Sequence, residues 1–573
     1  MRYEWNFSNE NIALFPEMKK QSFSPPLLHV LQKRGFSKKE DVDTFLDKSI
    51  MGIHDPKSLL NIDKAVGRIK KAIDNHEKIM IYGDYDVDGT TAVAVFLTFF
   101  KSLNIKPLFY IPHRIKEGYG LSKDAIQKAS SNAVDLIITV DTGITNITEV
   151  MLANTLGIEV IITDHHIPGS ELPEAYAIVN PHLSGCLYPN KALAGVGVAF
   201  KVVHACLREL SFDELTSKKI LRNLLDYVTL GTIADQVSLI GENRRLVATG
   251  LKQISKSSFP GVRIMMDALE CTNSVCNAKT ISFKVTPKLN ASGRMNHSNV
   301  SVKLLVEEDP LICRDLFAQI ESFNSERQSI EEENLQIAMK LVSMDKNFKN
   351  DRIIVLHHSS FHPGVNGIIA SRLTDKFHRP AIILSVNSDD QLIGSARSIA
   401  LINIYECLDH CKDLLVAFGG HDFAAGLKVD LKNIDALKIK LNSYIKECHP
   451  KKNPPPFIDI EACVDFSEIT PSFIDDLKML EPFGHGNRSP VFITRKAVLR
   501  SKPKVLKGKH VKFYLAQGDY SFDVIGFNFA EEVISYIKAN DKIDIIYHIS
   551  INSWLGQESV QLEMLDFRKI GKN

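Results

Sequence analysis

Apolar positions between residues 78 and 181 fall into short continuous runs. They are "IMIY" at 79–82, "PLFYIP" at 107–112, "LIITVD" at 136–141, "EVIITD" at 159–164 and "AYAIVNP" at 175–181. Helical segments such as "LSKDAIQKAS" and "ITNITEVMLANTLG" lie between them. β-branched runs alternating with helices predict a parallel sheet covered on both faces. A helical region follows, including "AGVGVAFKVVHACLREL" and "LRNLLDYVTLGTIADQVSL". Residues 311–342 contain no Gly or Pro and many helix formers, which predicts one long connecting helix. A second α/β unit comes next, with strands "RIIVLHH" and "PAIILSV" around the helix of "NGIIASRLTDKF". "HPKKNPPPF" at 449–457 breaks any helix and reads as a linker. Beyond it "PVFIT", "HVKFYLAQ", "SFDVIGF", "KIDIIYHI" and "SVQLEMLDF" predict a small β-barrel or sandwich.

Length and composition narrow the class without naming it. A chain of 573 residues should hold several domains, since single cores rarely exceed roughly 250–300 residues. Hydrophobic content of 44% and charged content of 24% are those of soluble globular protein. No apolar run reaches the roughly 18–20 residues of a membrane span, and the start "MRYEWNFSNENIALF" lacks a signal peptide's apolar core. The expectation is a cytoplasmic protein with no membrane partner. The nine Cys form no CxxC pair, so reduced structural thiols are expected. With 69 basic and 68 acidic side chains, any polyanion must be held by local patches and not by a global field.

One loop stands out chemically. In "IMIYGDYDVDG" the residues Asp84, Asp86 and Asp88 alternate ahead of Gly89. A calcium-binding EF-hand starts this way, but its twelfth position needs a bidentate Glu and here is Val95. The flanking pattern is strand then helix, where an EF-hand has two helices. One Asp would suffice to cap the following helix. Three crowded carboxylates repel one another unless cations sit among them, so a metal site is favoured. Three further clusters end apolar runs: Asp141 in "LIITVDTGI", Asp164, His165 and His166 in "VIITDHHIPG", and Asp235 in "TLGTIADQVSL". Ligands of open parallel sheets bind outside the carboxyl ends of the strands, which is where these segments should converge. Mixed carboxylate and imidazole donors suit Mn²⁺ best, with Mg²⁺, Co²⁺ or Zn²⁺ as alternatives. Two ions need a bridging carboxylate, and Asp141 on a central strand is the candidate.

Taken together, "GDYDVDG", "VDTG", "DHH", "ADQVSL", "FHPGVNGIIASRL", "GSARSI" and "FGGHDFAAG" resemble the DHH phosphoesterase superfamily, and within it the RecJ family of single-strand-specific exonucleases. The resemblance covers nearly the whole chain. It implies a DHH catalytic domain over 76–305 after an N-terminal segment 1–75. A connecting helix over 306–345, a DHH-associated nucleotide- and phosphate-binding domain over 346–448 and an OB-like single-strand-binding domain over 449–573 complete the implied division. It implies two ions, Mn²⁺ or Mg²⁺, one held by Asp86, Asp141 and Asp235 and the other by Asp88, Asp141 and His165. Asp84 and His166 match positions that complete the site, with His166 orienting the scissile phosphate or assisting proton transfer.

The same resemblance implies a pocket for a 5′-terminal phosphate. Its candidates are Arg114, Arg294, Arg372, Ser395 and Arg397, with His421 in the Gly-rich "FGGHDFAAG". Gly-rich turns let backbone approach phosphate, and Arg forks match phosphate oxygens. A dead-end pocket at a fixed distance from the ions would impose 5′→3′ cleavage to 5′-mononucleotides, and a narrow entrance would exclude duplex. "RSKPKVLKGKHVKFY" at 500–514 is the densest basic stretch, expected to bind single strands on the barrel with help from Phe513 and Tyr514. The family's work in recombination and repair implies a helicase and a single-strand-binding protein as partners. The rival readings are a DHH enzyme acting on short oligonucleotides and a non-catalytic replication scaffold.

Overall fold

The computed structural model describes residues 3–7, 16, 18, 22–271, 276–387, 390–450, 456–554 and 557–570. Most of the 449–457 linker, residues 451–455, lies outside them. The chain divides into two compact units. One comprises residues 53–237 and 249–454, the other residues 1–52, 238–248 and 455–573.

The larger unit begins with a five-stranded, all-parallel sheet in the order Leu108–Tyr110, Ile79–Gly83, Leu136–Val140, Glu159–Thr163, Ala177–Val179. Strands Ile79–Gly83 and Leu136–Val140 are buried along their whole length, as helices on both faces require. The chain leaves Ile79–Gly83 toward one edge of the sheet and returns to Leu136–Val140 on its other side. The order therefore reverses between these two strands, which places a crevice at their carboxyl ends. The helix Val87–Ser102 is apolar nearly all round and buried over most of its length, packed on helices Gly195–Glu209 and Glu214–Ala234.

The connecting helix runs over Pro310–Met344, 35 residues, or about 50 Å. Asp309 caps it, accepting the Leu311 N–H at 2.8 Å, and Pro310 occupies the first turn, where its missing N–H costs nothing. It packs on a mixed five-stranded sheet in the order Leu415–His421, Ala424–Asp430, Gln391–Arg397, Ala381–Val386, Ile354–His358. Alternate residues of the Ile354–His358 strand serve the two faces. Ile354 and Leu356 pack with Ala338 and Val342 of the long helix, whereas Ile353 and Val355 enter the opposite cluster with Leu437 and Leu441.

In the other unit five strands close into a barrel. Phe492–Leu499 pairs with His510–Gln517, which pairs with Tyr520–Gly526. Tyr520–Gly526 runs parallel to Gln557–Lys569, and Lys542–Trp554 joins that strand back to Phe492–Leu499. This connectivity, with the helix Ala530–Tyr536 between the third and fourth strands, is that of an OB-type barrel. From the N-terminal segment, Met18, Leu27, Leu28, Val30, Leu31 and Val42 enter the barrel unit's core. Phe513 is buried in the same core, so of the two aromatic residues in the basic stretch only Tyr514, 48% exposed, can meet a ligand.

The side chain of Arg244 is fully buried in this unit. Its guanidinium donates to the carbonyls of Phe45 at 3.0 Å, Leu480 at 2.6 Å and Met479 at 2.8 Å. Arg244→Ala removes three charged hydrogen bonds to backbone carbonyls, one of them buried, and should destabilise the unit by about 3 kcal/mol. Both tryptophans, Trp5 and Trp554, belong to this unit, so urea unfolding followed by tryptophan fluorescence checks the value directly.

Candidate metal centre and anion pocket

Asp84 and Asp86 occupy the turn between strand Ile79–Gly83 and helix Val87–Ser102, and Asp88 lies in that helix's first turn, at the crevice defined by the strand order. Asp86 caps the helix, its carboxylate accepting the Gly89 N–H at 3.1 Å. Asp88, one residue inside the helix, is buried and turned toward another helix start. Its oxygens accept the Gly195 N–H at 2.6 Å and the Val196 N–H at 2.9 Å. The positive end of the Gly195–Glu209 helix thus faces a carboxylate. Asp141 follows the neighbouring strand with φ +59°, a conformation that a non-glycine residue adopts only under constraint, and its N–H still pairs with the Thr163 carbonyl at 3.0 Å. Asp235 caps the carboxyl end of helix Glu214–Ala234.

These groups converge. His165 Nε2 lies 3.1 Å from Asp141 Oδ1, 3.8 Å from Asp88 Oδ2 and 3.7 Å from Asp235 Oδ2. Asp84, Asp86 and Asp141 place one oxygen each within 4.8 Å of one another. Asp84 Oδ1, Asp141 Oδ1 and His165 Nε2 are buried and make no hydrogen bond, even though the last two are close neighbours. Asp141 belongs to two groups of possible metal ligands, one with Asp84 and Asp86 and one with His165 and His166.

The electrostatics agree with that geometry. Burial pushes Asp84 and Asp141 well above the usual carboxylate range, aided by neighbouring aspartates, and it does the same to Asp235. Burial and Asp86 push Asp88 up to about 7 against the pull of the two helix amides. So many raised carboxyls mark a site that holds negative charge only with cations among it. Burial and the charge on His166 push His165 down to about 3, leaving a neutral imidazole able to donate a lone pair to a metal. The unpaired acid oxygens and this imidazole fit divalent Mn²⁺ or Mg²⁺.

Asp164, Tyr119 and two amides are the members that motif reading leaves without a role. Asp164 is fully buried, and its Oδ1 lies 2.7 Å from His166 Nδ1. The same carboxylate accepts the backbone N–H groups of Ile144, His165 and His166. It therefore fixes both histidines and the turn after Asp141. Burial alone would lower the imidazole of His166, but Asp164 outweighs it and holds that ring at about 9. Tyr119 Oη sits 3.0 Å from His166 Nδ1.

A second group, of positive charge, lies nearby in the same unit. Arg114 stacks over the Tyr85 ring at 4.7 Å. Arg294, at the end of helix Thr286–Met295, donates to the Gly364 carbonyl at 3.0 Å. Burial and the charges of Arg114, Arg397 and Arg327 press Arg294 down to about 9. Arg397 and Ser395 lie on strand Gln391–Arg397, opposite the first turn of helix Asn366–Phe377, where a Cβ on Gly367 would come within 2.9 Å of the Arg397 guanidinium. His421 stacks toward His166 with ring centres 6.5 Å apart. Arg372 differs from its companions, being exposed and held by Glu331 at 2.7 Å.

A doubly wound parallel sheet that gathers five aspartates and a histidine pair at its switch point is the architecture of the DHH class, and the model of the DHH family N-terminal domain matches residues 78–232. The DHHA1 domain matches residues 350–447 and the RecJ OB domain residues 460–566. The single-stranded-DNA-specific exonuclease RecJ of Bacillus subtilis (strain 168) is 38% identical over 545 residues, 95% of this chain and 68% of that protein. Its namesake in Escherichia coli (strain K12) is 31% identical, covering 94% of this chain and 95% of that protein. A crystal structure of RecJ in complex with Mn²⁺ from Thermus thermophilus aligns with a TM-score of 0.83 at 28% identity, covering 100% of this chain and 80% of that one. The chain belongs to the RecJ family.

One glycine tests the centre's geometry. A Cβ on Gly195 would stand 2.5 Å from Asp141 Cβ and 2.7 Å from Asp141 Oδ1, so the carboxylate must move. Gly195→Ala should weaken Mn²⁺ binding by about tenfold or more, read by titration calorimetry, with the circular dichroism spectrum unchanged.

Proposed function

We propose that this protein is a metal-dependent exonuclease that hydrolyses single-stranded DNA from the 5′ end to 5′-mononucleotides, in recombination and repair. The observation that carries the reading is the crowd of carboxylates at the switch point, with Asp84 Oδ1 and Asp141 Oδ1 buried and unpaired, beside a separate crowd of guanidiniums. One group suits cations and the other a phosphate, as cutting at a phosphorylated end requires. Family membership and the Mn²⁺-bound relative support it.

Asp86, Asp141 and Asp235 would hold one divalent ion and Asp88, Asp141 and His165 a second, with Asp84 completing the acid wall. When bound, Mn²⁺ or Mg²⁺ supplies Lewis acidity toward a phosphoryl oxygen and lowers the pKa of water. Asp164 holds the His166 ring in place, so that its charged imidazole can donate toward the scissile phosphate. Arg114, Arg294, Ser395 and Arg397 take the terminal phosphate, with His421 beside His166 and Arg372 at the rim. A pocket that accepts only a chain end fixes the polarity. Lys504, Lys507, Lys509 and Tyr514 of the barrel unit bind the trailing strand. The reading includes a cytoplasmic setting, a helicase that supplies the single strand and a single-strand-binding protein that coats it.

Asp141→Ala should lower hydrolysis by about 10³-fold or more while single-strand binding persists. Cutting at near wild-type rate in Mn²⁺-containing buffer would refute the assignment. A 5′-phosphorylated oligonucleotide should be cut at least about tenfold more efficiently than its 5′-hydroxyl counterpart, because a charged fork–phosphate contact is lost in the latter. Equal kcat/KM for the two would remove the pocket.

A further inference from the structure

The buried stripe of helix Pro310–Met344 changes character at its middle. Cys313, Leu316, Phe317 and Ile320 lead into it and Ala338 and Val342 leave it, but the buried positions between are Asn324, Arg327, Glu331 and Asn334. Polar groups in a buried stripe cost stability unless each is satisfied. Asn334 is accounted for by backbone. It donates to the Ser360 carbonyl at 3.1 Å and accepts the His362 N–H at 2.9 Å.

Arg327 and Glu331 form a different arrangement. Glu331 Oε2 accepts from Arg327 at 2.6 Å, and Glu331 Oε1 accepts from both Nη2 and Nε of Arg372 at 2.7 and 3.1 Å. One buried carboxylate therefore serves two guanidiniums, and the trio keeps a net positive charge. Arg327 also donates to Asn324 Oδ1 at 3.1 Å, yet its buried Nε has no acceptor.

Helix Thr286–Met295 packs against the long helix. Lys288 of helix Thr286–Met295 pairs with Glu321 of the long helix. Arg294 lies in the last turn of the first of these helices, and Arg327 lies in the middle of the second. Their charges oppose each other, Arg327 being among the groups that press the Arg294 guanidinium down after burial itself. Arg327 thus borders the group formed by Arg114, Arg294 and Arg397.

We propose that Arg327 is a further guanidinium of the pocket for the 5′-terminal phosphate, and that Glu331 is the positioning residue that sets it. Through Arg372, Glu331 also ties the long helix to helix Asn366–Phe377, beside which Ser395 and Arg397 lie. This rests on the reading of Arg114, Arg294 and Arg397 as that pocket. Glu331 touches neither phosphate nor ion. It fixes where the phosphate is gripped and hence which phosphodiester reaches the acids.

The test is steady-state kinetics of the full chain on 5′-phosphorylated and 5′-hydroxyl single strands, with thermal melting and Mn²⁺ calorimetry alongside. Glu331→Gln should raise KM for the phosphorylated strand about 10- to 100-fold, the scale of a misplaced binding group. Its kcat and Mn²⁺ affinity should stay within about twofold, and the 5′-hydroxyl strand should be cut as by wild type. Arg327→Ala should likewise raise KM for the phosphorylated strand, and Arg327→Lys should recover part of the phosphate preference. Full preference in folded Arg327→Ala and Glu331→Gln would overturn the inference while leaving the pocket itself standing. Should either variant not fold, Arg327→Lys decides, because an undiminished preference there contradicts the role. A wild-type protein with no preference for phosphate would sink the pocket and this inference together.

Discussion

Mutual repulsion among buried carboxylates at the edge of one parallel sheet is the constraint around which the catalytic unit is organised. Asp84, Asp86, Asp88, Asp141 and Asp235 come from three separate stretches of chain, and all but Asp86 and Asp235 are buried. Folding alone cannot repay such crowding. Everything around the cluster eases it in part: the amides of Gly195 and Val196 face Asp88, and the Gly89 amide faces Asp86. The remaining charge requires cations. The same reasoning explains the left-handed backbone at Asp141, where strain is stored to aim one carboxylate at shared space.

Charge is separated within this unit. Acids collect at the switch point of the parallel sheet, while guanidiniums collect from the Arg114 loop, the end of helix Thr286–Met295, the long helix and strand Gln391–Arg397. Each cluster is unfavourable in isolation, and each is completed by what the other's ligand brings. On the proposed function, a nucleic acid end would bring phosphate to the guanidiniums, and the acids would hold divalent ions beside the bond to be cut. In that reading, chemistry and end recognition would be two faces of one electrostatic arrangement.

Much of this was legible in the sequence because it is local. Continuous β-branched runs ending in Asp declare a parallel strand and its functional end together, so Asp84–Asp88, Asp141 and the histidine pair could be placed on one rim. The long helix was readable for a similar reason, an uninterrupted run of helix formers with Asp309 and Pro310 at its start. What stayed hidden depends on contacts between distant segments. The "AGVG" stretch looks like ordinary helix, and nothing local says that its first amides hold Asp88. Arg327 and Glu331 look like an exposed i, i+4 pair, and only the packing of a second helix shows them buried. Phe513 reads as a stacking residue in the sequence and is buried in the fold, because alternation within a barrel strand does not say which face is inside. The first residues of the chain gave no sign that they would complete the barrel unit's core.

Crystals soaked in Mn²⁺ and measured at the manganese absorption edge examine the acid cluster most directly. Two anomalous peaks should appear at the switch point, one among Asp86, Asp141 and Asp235 and one among Asp88, Asp141 and His165. A difference map with no peak beside these side chains would contradict the proposal that the buried carboxylates are there to hold metal.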